Sequence, residues 1–366
     1  MTIKEQLGIY FWLLPDKRNQ HYTSYKLNDI MLLFMCGMLC GLRDFEEIHE
    51  MLEARWDSLR EHVDCEKLPC ARTFANVISH LDPARLELCL QGIFRNVFAE
   101  KLPENSQISI DGKAIRGVDI QVVTAYSNDG KMSLGQVVIN KKKSEIKAVQ
   151  ELLDMLDLRG KVVTFDAMHC PKETLAKVVE KKGDYVVQVK KNQGALYDDI
   201  CGLFRLGNMV DEFETSEKGH GRFETRICRV LSPKCADGEY FAEWSGLQTI
   251  FSVERRFEKN GVISEETSYY ISSLNATAEE LLRCTRKHWE IESFHWVLDV
   301  VCREDKNFKR IENTQICMNI MRKFAVSMMK KYIAHTKPKK TAISANMRKC
   351  LFNAEILIDL LAFFEV

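Results

Sequence analysis

The run KVVTFD, residues 161–166, decides the fold class of this 366-residue chain. Its apolar and β-branched residues follow one another without alternation, which is typical of a strand that is buried on both faces. Gly160 precedes the run and supplies a turn. Helical patterns at 144–156 and 171–182 enclose it, and a second strand, DYVVQV, follows at 184–189. This strand–helix–strand order predicts neighbouring parallel strands in an α/β fold.

Three further strands are predicted upstream of this unit. SQISID (106–111), IQVVTAYS (120–127) and MSLGQVVIN (132–140) are short, β-rich runs separated by turn residues such as those at 128–130. The whole order is therefore β-β-β-α-β-α-β, a hairpin meander followed by crossovers, which predicts a mixed sheet. In a sheet of this order the first and fourth strands can be neighbours.

The regions on either side of this core differ from it in the periodicity of their hydrophobic residues. We interpret residues 1–102 as a helical N-terminal domain and residues 103–199 as the first part of the core. Residues 200–276 are β-rich and are expected to form an insertion. Residues 277–366 return to helices, first a core helix and then a basic C-terminal region. Within the N-terminal domain, PCARTFANVISHL (69–81) is compatible with the second helix of a helix-turn-helix and with a plain helical bundle.

Composition excludes several classes of protein. Hydrophobic residues make up 46% and charged residues 28% of the chain, as in a soluble globular protein. The most apolar run, 30–42, is shorter than the roughly 20 residues that span a bilayer, so no membrane association is expected. The N-terminus lacks the pattern of a signal peptide. Thirteen cysteines without a C-x-x-C pair favour free thiols in the cytoplasm over a disulfide scaffold or a zinc ribbon.

Charge is unevenly distributed along the chain, although the formal net charge is zero. Residues 303–350 carry thirteen Lys and Arg against three acidic residues, a net charge of +10, and the rest of the chain carries −10. A basic C-terminal region on a neutral protein fits a polyanionic partner. A solvated helical surface explains the same pattern equally well.

The segment RKHWEIESFHWVLDV, residues 286–300, is dense in functional side chains. A helix turning about 100° per residue places an aliphatic stripe on one side, formed by Ile291, Phe294, Leu298 and Val301. The other side carries His288, Trp289, Glu292, His295, Trp296, Asp299 and Arg303. An ordinary amphipathic helix would expose Lys and Glu there, so this face indicates the wall of a site. Glu290 points about 160° away from Glu292 and cannot serve the same site.

Three carboxylates occupy positions that suggest joint chemistry. Asp111 ends the first predicted strand, Asp166 ends the buried strand, and Glu292 lies on the later helix. Singly, an aspartate at a strand end is most often a turn or cap residue. Two carboxylates brought together repel unless a cation neutralises them, and Mg²⁺ prefers such oxygen ligands. Two ions roughly 3.5–4 Å apart can support phosphodiester cleavage.

Five longer stretches resemble one known family. ISIDGKAIRG, VVTFDAMHC, DYVVQVKKNQ, GHGRFETR and RKHWEIESFHWVLDVVCRED occur in the order found in the H-repeat-associated transposases. These are bacterial insertion-sequence enzymes of the DDE type with an RNase H-like core, and the likeness covers nearly the whole chain. The resemblance implies that Asp111, Asp166 and Glu292 are the catalytic triad and hold two Mg²⁺ ions, for which Mn²⁺ can substitute. It also implies cutting at terminal inverted repeats and joining of the 3′ ends to target DNA.

The resemblance further implies DNA contacts outside the triad. The candidates are Lys190, Asn192, Gln193, His220, Arg222, His288 and Trp289. A polar loop and ordinary packing remain the simpler explanations for several of them. A homodimer on double-stranded DNA ends is expected, in the cytoplasm and on the nucleoid when bound. Two other functions stay compatible with the sequence, namely a metal-dependent nuclease without joining activity and a domesticated DNA-binding protein with impaired catalysis.

Overall fold

The computed structural model describes residues 5, 8–9, 11, 14–19, 21, 23–97, 102–115, 120–139, 144–169, 171–219, 222–232, 239–259, 262–306, 311–337 and 342–364. Among the described residues of the N-terminal part are the helices α1 (Leu27–Leu39), α2 (Phe45–Glu53), α3 (Ala71–His80) and α4 (Pro83–Val97). Asp44 caps α2 by accepting a hydrogen bond from the backbone of Glu47, as this residue type favours. Phe74, Val77 and Ile78 of α3 are buried, so one face of this helix packs into the hydrophobic core.

The core sheet and the helices on its first face follow. They are β1 (Gln107–Ile115), β2 (Ile120–Ser127), β3 (Met132–Ile139), α5 (Glu145–Met155), β4 (Val162–Phe165), α6 (Lys172–Glu180), β5 (Asp184–Val189) and α7 (Gly194–Leu206). Strand β4 is buried along its whole length, as its unbroken apolar run predicts. Gly160 turns the chain into β4 with a φ of +62°, a conformation that glycine adopts readily.

The predicted insertion does not form a sheet of its own. It contains β6 (Met209–Gly219), β7 (Arg222–Leu231), β8 (Thr249–Lys259) and β9 (Val262–Ser272). Strand β9 pairs antiparallel with core strand β5, from Val186 opposite Ser272 to Val189 opposite Tyr269. The result is one nine-stranded mixed sheet in the order β3-β2-β1-β4-β5-β9-β8-β7-β6.

The remaining helices lie on the second face of the sheet or pack against the helices there. They are α8 (Ala278–Trp296), a π-helical turn (Val297–Val301), α9 (Glu312–Thr336), α10 (Ile343–Phe352) and α11 (Ala354–Ala362). The predicted aliphatic stripe of α8 is buried at Ile291, Phe294 and Leu298. The ring of Phe294 packs 4.9 Å from that of Tyr126 on β2, between ring centres. Helices therefore cover both faces of the sheet, which makes the fold α/β.

Helix α9 turns three of the thirteen Lys and Arg residues of the predicted basic C-terminal region inward. Arg322 and Lys323 are buried, because Arg322 pairs with Glu304 and Lys323 donates hydrogen bonds to Thr124 and Gln136. Lys330 points inward as well and donates to the hydroxyl of Tyr126 at 2.8 Å. These cations hold α9 against the sheet, so they are neither a solvated surface nor contacts for a polyanion.

Eleven cysteines lie in the described residues and all eleven are free thiols. Across the same residues, no helix combines the length and the apolar character needed to cross a membrane.

Candidate active site

Two aspartates meet where the parallel ladder between β1 and β4 ends. The last paired residues of that ladder are Ile110 and Phe165, so Asp111 and Asp166 are the next residue on each strand. Asp166 directly follows β4, as predicted. Asp111 does not end its strand, because β1 continues to Ile115 as the antiparallel partner of β2. Sheet register alone therefore brings the two carboxylates to one point.

Helix α8 supplies the third carboxylate. Its start is fixed by a capping box in which Thr277 and Glu280 each accept a hydrogen bond from the other's backbone. The helix then crosses the sheet, held by Gln107, whose side chain donates to the carbonyl of Cys284 at 3.0 Å. Because residues three and four apart share one helical face, His288, Glu292 and His295 all point toward the ends of β1 and β4.

The three acids line one pocket. Its walls are formed by Asp111, Thr164, Phe165, Asp166, Val186, Gln188, Lys190, Tyr270, Thr285, His288, Trp289 and Glu292. Burial raises the pKa of Glu292 above its usual value, and the negative charges of Asp111 and Asp166 raise it further. Glu292 has Trp289 as a wall neighbour, whereas Glu290 lies outside the pocket and pairs with Lys131 at 2.7 Å.

Lys190 is the cation nearest the second aspartate. Its ammonium donates to Oδ1 of Asp166 at 2.8 Å, and the backbone of Ala167 donates to the same oxygen at 2.7 Å. Burial opposes ionisation of Asp166, but these hydrogen bonds outweigh it and lower the pKa of the carboxyl. Asn192 donates to the carbonyl of Ala167 at 2.9 Å and links the two loops. Gln193 precedes α7 and is not part of the pocket wall.

His288 joins α8 to the strand that carries the second aspartate. Its Nδ1 lies 2.9 Å from the hydroxyl of Thr164, and that hydroxyl donates its hydrogen to Ser109 at 3.1 Å. Ser109 in turn donates to Asn128 at 2.7 Å. Because the single hydroxyl hydrogen of Thr164 points to Ser109, Nδ1 of His288 is the donor in its contact. The histidine is thus both part of the pocket wall and one end of a buried polar chain.

His295 lies under the first aspartate. Its Nδ1 is 3.3 Å from Oδ2 of Asp111, and its side chain is only 9% exposed. Burial opposes ionisation of Asp111, but the hydrogen bond from His295 and the nearby His288 lower the pKa of the carboxyl. Burial also lowers the pKa of His295. Its other ring nitrogen, Nε2, is buried and has no hydrogen-bond partner among the described residues.

A cluster of buried charged side chains lies next to the pocket, around the part of β1 that follows Asp111. Lys113, two residues after Asp111, donates hydrogen bonds to Asp299 of the π-helical turn and to Glu304. Glu304 also accepts from Asn319 of α9 at 2.9 Å. Burial would raise the pKa of Glu304, yet Lys113 and the neighbouring Arg322 hold it at about 2. Asp299 is therefore engaged in an ion pair outside the pocket wall.

The remaining candidates divide between exposed residues and undescribed ones. Trp289 is 59% exposed on the pocket wall, and Trp296 is 57% exposed one helical turn beyond Glu292. His220 lies outside the described residues. Arg222 begins β7, but its side chain also lies outside the described part. Gln188 was missed from the sequence, although its position two residues before Lys190 places both on one strand face.

The donor set fits a hard divalent cation. It consists of carboxylate oxygens, and the pKa of Glu292 is raised first by burial and then by the charges of Asp111 and Asp166, while Lys190 acts in the opposite direction. Within the described residues, no three His, Cys, Asp or Glu side chains are close enough to enclose an ion. Mg²⁺ commonly keeps several waters beside one or two carboxylates, so an open arrangement of this kind is compatible with it.

Comparison with known proteins identifies the class. The family described as "Transposase DDE domain" matches residues 99–328, and the family described as "DDE_Tnp_1-associated" matches residues 9–93. The chain therefore belongs to the DDE transposase family of nucleic-acid-processing enzymes, and its α/β core is RNase H-like, as the sequence predicted.

Its relatives include members of the predicted subgroup. "H repeat-associated putative transposase YhhI" of Escherichia coli is 32% identical across 96% of this chain and 96% of its own length. "Putative transposase YncI" of Escherichia coli is 33% identical across 99% of this chain and 95% of its own length. An "Uncharacterized protein in dhlA 3'region" of Xanthobacter autotrophicus is 31% identical across 73% of this chain.

Proposed function

We propose that this protein cuts DNA at terminal inverted repeats and joins the freed 3′ ends to target DNA. The observation that carries the proposal is the convergence of Asp111, Asp166 and Glu292 on one pocket from two adjacent strands and one helix. Membership of the DDE transposase family supports DNA as the substrate class.

The three carboxylates would hold two Mg²⁺ ions, or Mn²⁺ in their place. When bound, such ions activate the attacking oxygen and stabilise the leaving one. The protein's own residues would position the DNA in the pocket. Lys190 sits beside Asp166 with an exposed ammonium, so it can contact a DNA phosphate at the same edge. Trp289 offers an exposed ring to an unstacked base on the pocket wall.

The assembly expected on DNA is a homodimer that binds two double-stranded ends. We place the protein in the cytoplasm, associated with the nucleoid when it binds DNA. Arg222, which begins β7, and His220, two positions before it in the sequence, are proposed as further contacts to the DNA backbone. The same applies to Asn192, Gln193 and His288 in the loop and helix near the pocket.

A strand-joining assay tests the proposal. The substrate is a labelled DNA end from the element's terminal inverted repeat, which the DNA flanking the gene supplies, together with a plasmid target. We expect Mg²⁺-dependent joining of the label to the plasmid. Cutting without joining would indicate a nuclease instead. Binding without cutting in Mg²⁺ and in Mn²⁺ would indicate a DNA-binding protein that has lost its chemistry.

A further inference from the structure

The mechanism outlined above leaves one buried polar side chain without a role. His295 projects from α8 toward β1, and its Nδ1 reaches to 3.3 Å from Oδ2 of Asp111. It stands one helical turn beyond Glu292 on the same face, but it is not part of the pocket wall. It therefore contacts a proposed metal ligand from behind.

Hydrogen-bond chemistry fixes the state of the ring. An ionised carboxylate can only accept hydrogen bonds, so a hydrogen bond between these two side chains requires the proton to be on Nδ1 of His295. The contact uses Oδ2, one of the two oxygens of the carboxylate. The ring thus constrains the rotation of the Asp111 side chain without using its second oxygen.

Packing alone does not explain why a histidine ring, and not an apolar side chain, occupies this position. Its Nε2 is buried and lacks a hydrogen-bond partner among the described residues. A buried polar atom without a partner destabilises the fold, whereas an apolar side chain of similar shape would avoid the cost. A feature that breaks a packing rule in this way points to function.

Asp111 needs such a constraint because of where it stands. The parallel ladder with β4 ends at Ile110, so from Asp111 onward β1 pairs only with β2. Two residues later, Lys113 is held by Asp299 from the π-helical turn that continues α8. Helix α8 and the π-helical turn that follows it therefore contact β1 at two alternate residues beyond the end of its ladder with β4. One of these two residues is the first aspartate.

We propose that His295 is a positioning residue, which donates Nδ1–H to Oδ2 of Asp111 and so presents the other oxygen to a divalent cation. This inference rests on the proposed function, because it assumes that Asp111 is a metal ligand. Outer residues of this kind typically change metal affinity by about tenfold or more when they are replaced.

Mn²⁺ binding, measured by electron paramagnetic resonance on the full-length protein, tests the inference without relying on activity. The variant His295→Leu keeps the approximate shape and loses the donor. We expect it to melt at or above the wild-type temperature and to bind Mn²⁺ about tenfold more weakly. His295→Asn places an amide nitrogen near the position of Nδ1 and is expected to recover most of the affinity.

Three outcomes separate the possible failures. Wild-type affinity in His295→Leu, together with loss of affinity in Asp111→Asn, would overturn the role of His295 and leave the metal site intact. Unchanged affinity in Asp111→Asn would count against the proposed function itself. If His295→Leu does not fold, His295→Gln replaces it, because its amide lies near Nε2. Equal Mn²⁺ affinities of the Asn and Gln variants would then contradict the proposal.

Discussion

Glu292 is set apart from its acidic neighbours Glu290 and Asp299 by what each side chain contacts. Glu292 faces Asp111 and Asp166 across the pocket, and their charges raise its pKa. Glu290 pairs with Lys131 on the far side of the helix, and Asp299 pairs with the buried Lys113. Only Glu292 is therefore placed to share a cation with the two aspartates.

Single substitutions at these acids give the first prediction. Glu292→Gln should abolish Mg²⁺-dependent cleavage, by about 10⁴-fold or more as for one member of a catalytic set, while folding and DNA-end binding persist. Asp111→Asn and Asp166→Asn should do the same. Cleavage of one labelled DNA end by purified proteins provides the measurement.

Glu290→Gln and Asp299→Asn are the matched controls, the first on α8 and the second in the π-helical turn that continues it. Glu290→Gln should keep most activity, because a partly exposed ion pair contributes little. Asp299→Asn should weaken cleavage without removing it, since it loosens the hold on Lys113 and thus on β1. Robust cutting by Glu292→Gln, with no cutting by Asp299→Asn, would reassign the third ligand to Asp299.

At the residue level, the position of an acidic side chain could be predicted from sequence where a strand end or a helical face determines it. Asp166 is found directly after its buried strand, and Glu292 lies on the predicted face of its helix. The role of His295 could not be read in advance. Its contact with Asp111 joins residues 184 positions apart, and only the packing of α8 on β1 creates it.

Among the elements, α9 depends most on contacts that its sequence does not reveal. Its polar residues suggest an exposed helix, yet Asn319, Arg322 and Lys323 are buried. Each finds a partner on another element, with Glu304 as the shared acceptor for Asn319 and Arg322. Local periodicity cannot predict such burial, because the partners come from distant parts of the chain.

Glu304 gives the second prediction, on stability against pH. Its pKa in the folded protein, about 2, is below the ordinary value of 4.5, so its stabilising effect is complete above pH 4.5 and is lost as the pH falls toward 2. Glu304→Gln should lower the free energy of unfolding by about 3 kcal/mol at neutral pH. Urea denaturation of both proteins between pH 7 and pH 2 measures the difference.

The difference between wild type and Glu304→Gln should shrink through this window and disappear near its acid end. Glu279→Gln is the matched control, since Glu279 is exposed on α8 and pairs only with Arg283 at the surface. It should change stability little at any pH. A constant penalty for Glu304→Gln from pH 7 to pH 2 would show that the carboxylate's charge is not what stabilises the cluster.

For the whole molecule, one part of the strand order in the sheet could be predicted from the sequence and another part could not. The neighbouring positions of β1 and β4 follow from the order of strands and crossovers. The continuation of that sheet through β9 to β6 does not, because antiparallel pairing between β5 and β9 is set by packing. A β-rich insertion looks the same in sequence whether it extends the core sheet or stands apart.

The distribution of charge gives the third prediction. With Arg322, Lys323 and Lys330 turned inward, DNA contacts in this region must come from other cations, such as the exposed Lys337. Charge reversal of Lys337, Lys339 and Lys340 should flatten the fall of log affinity with log salt, which has a slope near −0.9 per neutralised phosphate. Lys339 and Lys340 lie outside the described residues. Filter binding across a range of salt concentrations measures the slope.

Charge reversal of Lys147, Lys177 and Lys182 provides the control, because α5, α6 and the turn after α6 cover the opposite face of the sheet. Its salt slope should match that of the wild type. If both triple variants lose slope equally, the effect is one of net charge and the DNA surface lies elsewhere.

The central claim is that Asp111, Asp166 and Glu292 form one site for divalent cations. The most direct measurement is anomalous diffraction from crystals of the protein with its DNA end, grown in Mn²⁺ and with a 3′ end that cannot react. We expect anomalous density in the pocket, in contact with carboxylate oxygens of all three residues. Anomalous density elsewhere on the protein, with none between these carboxylates, would contradict the account.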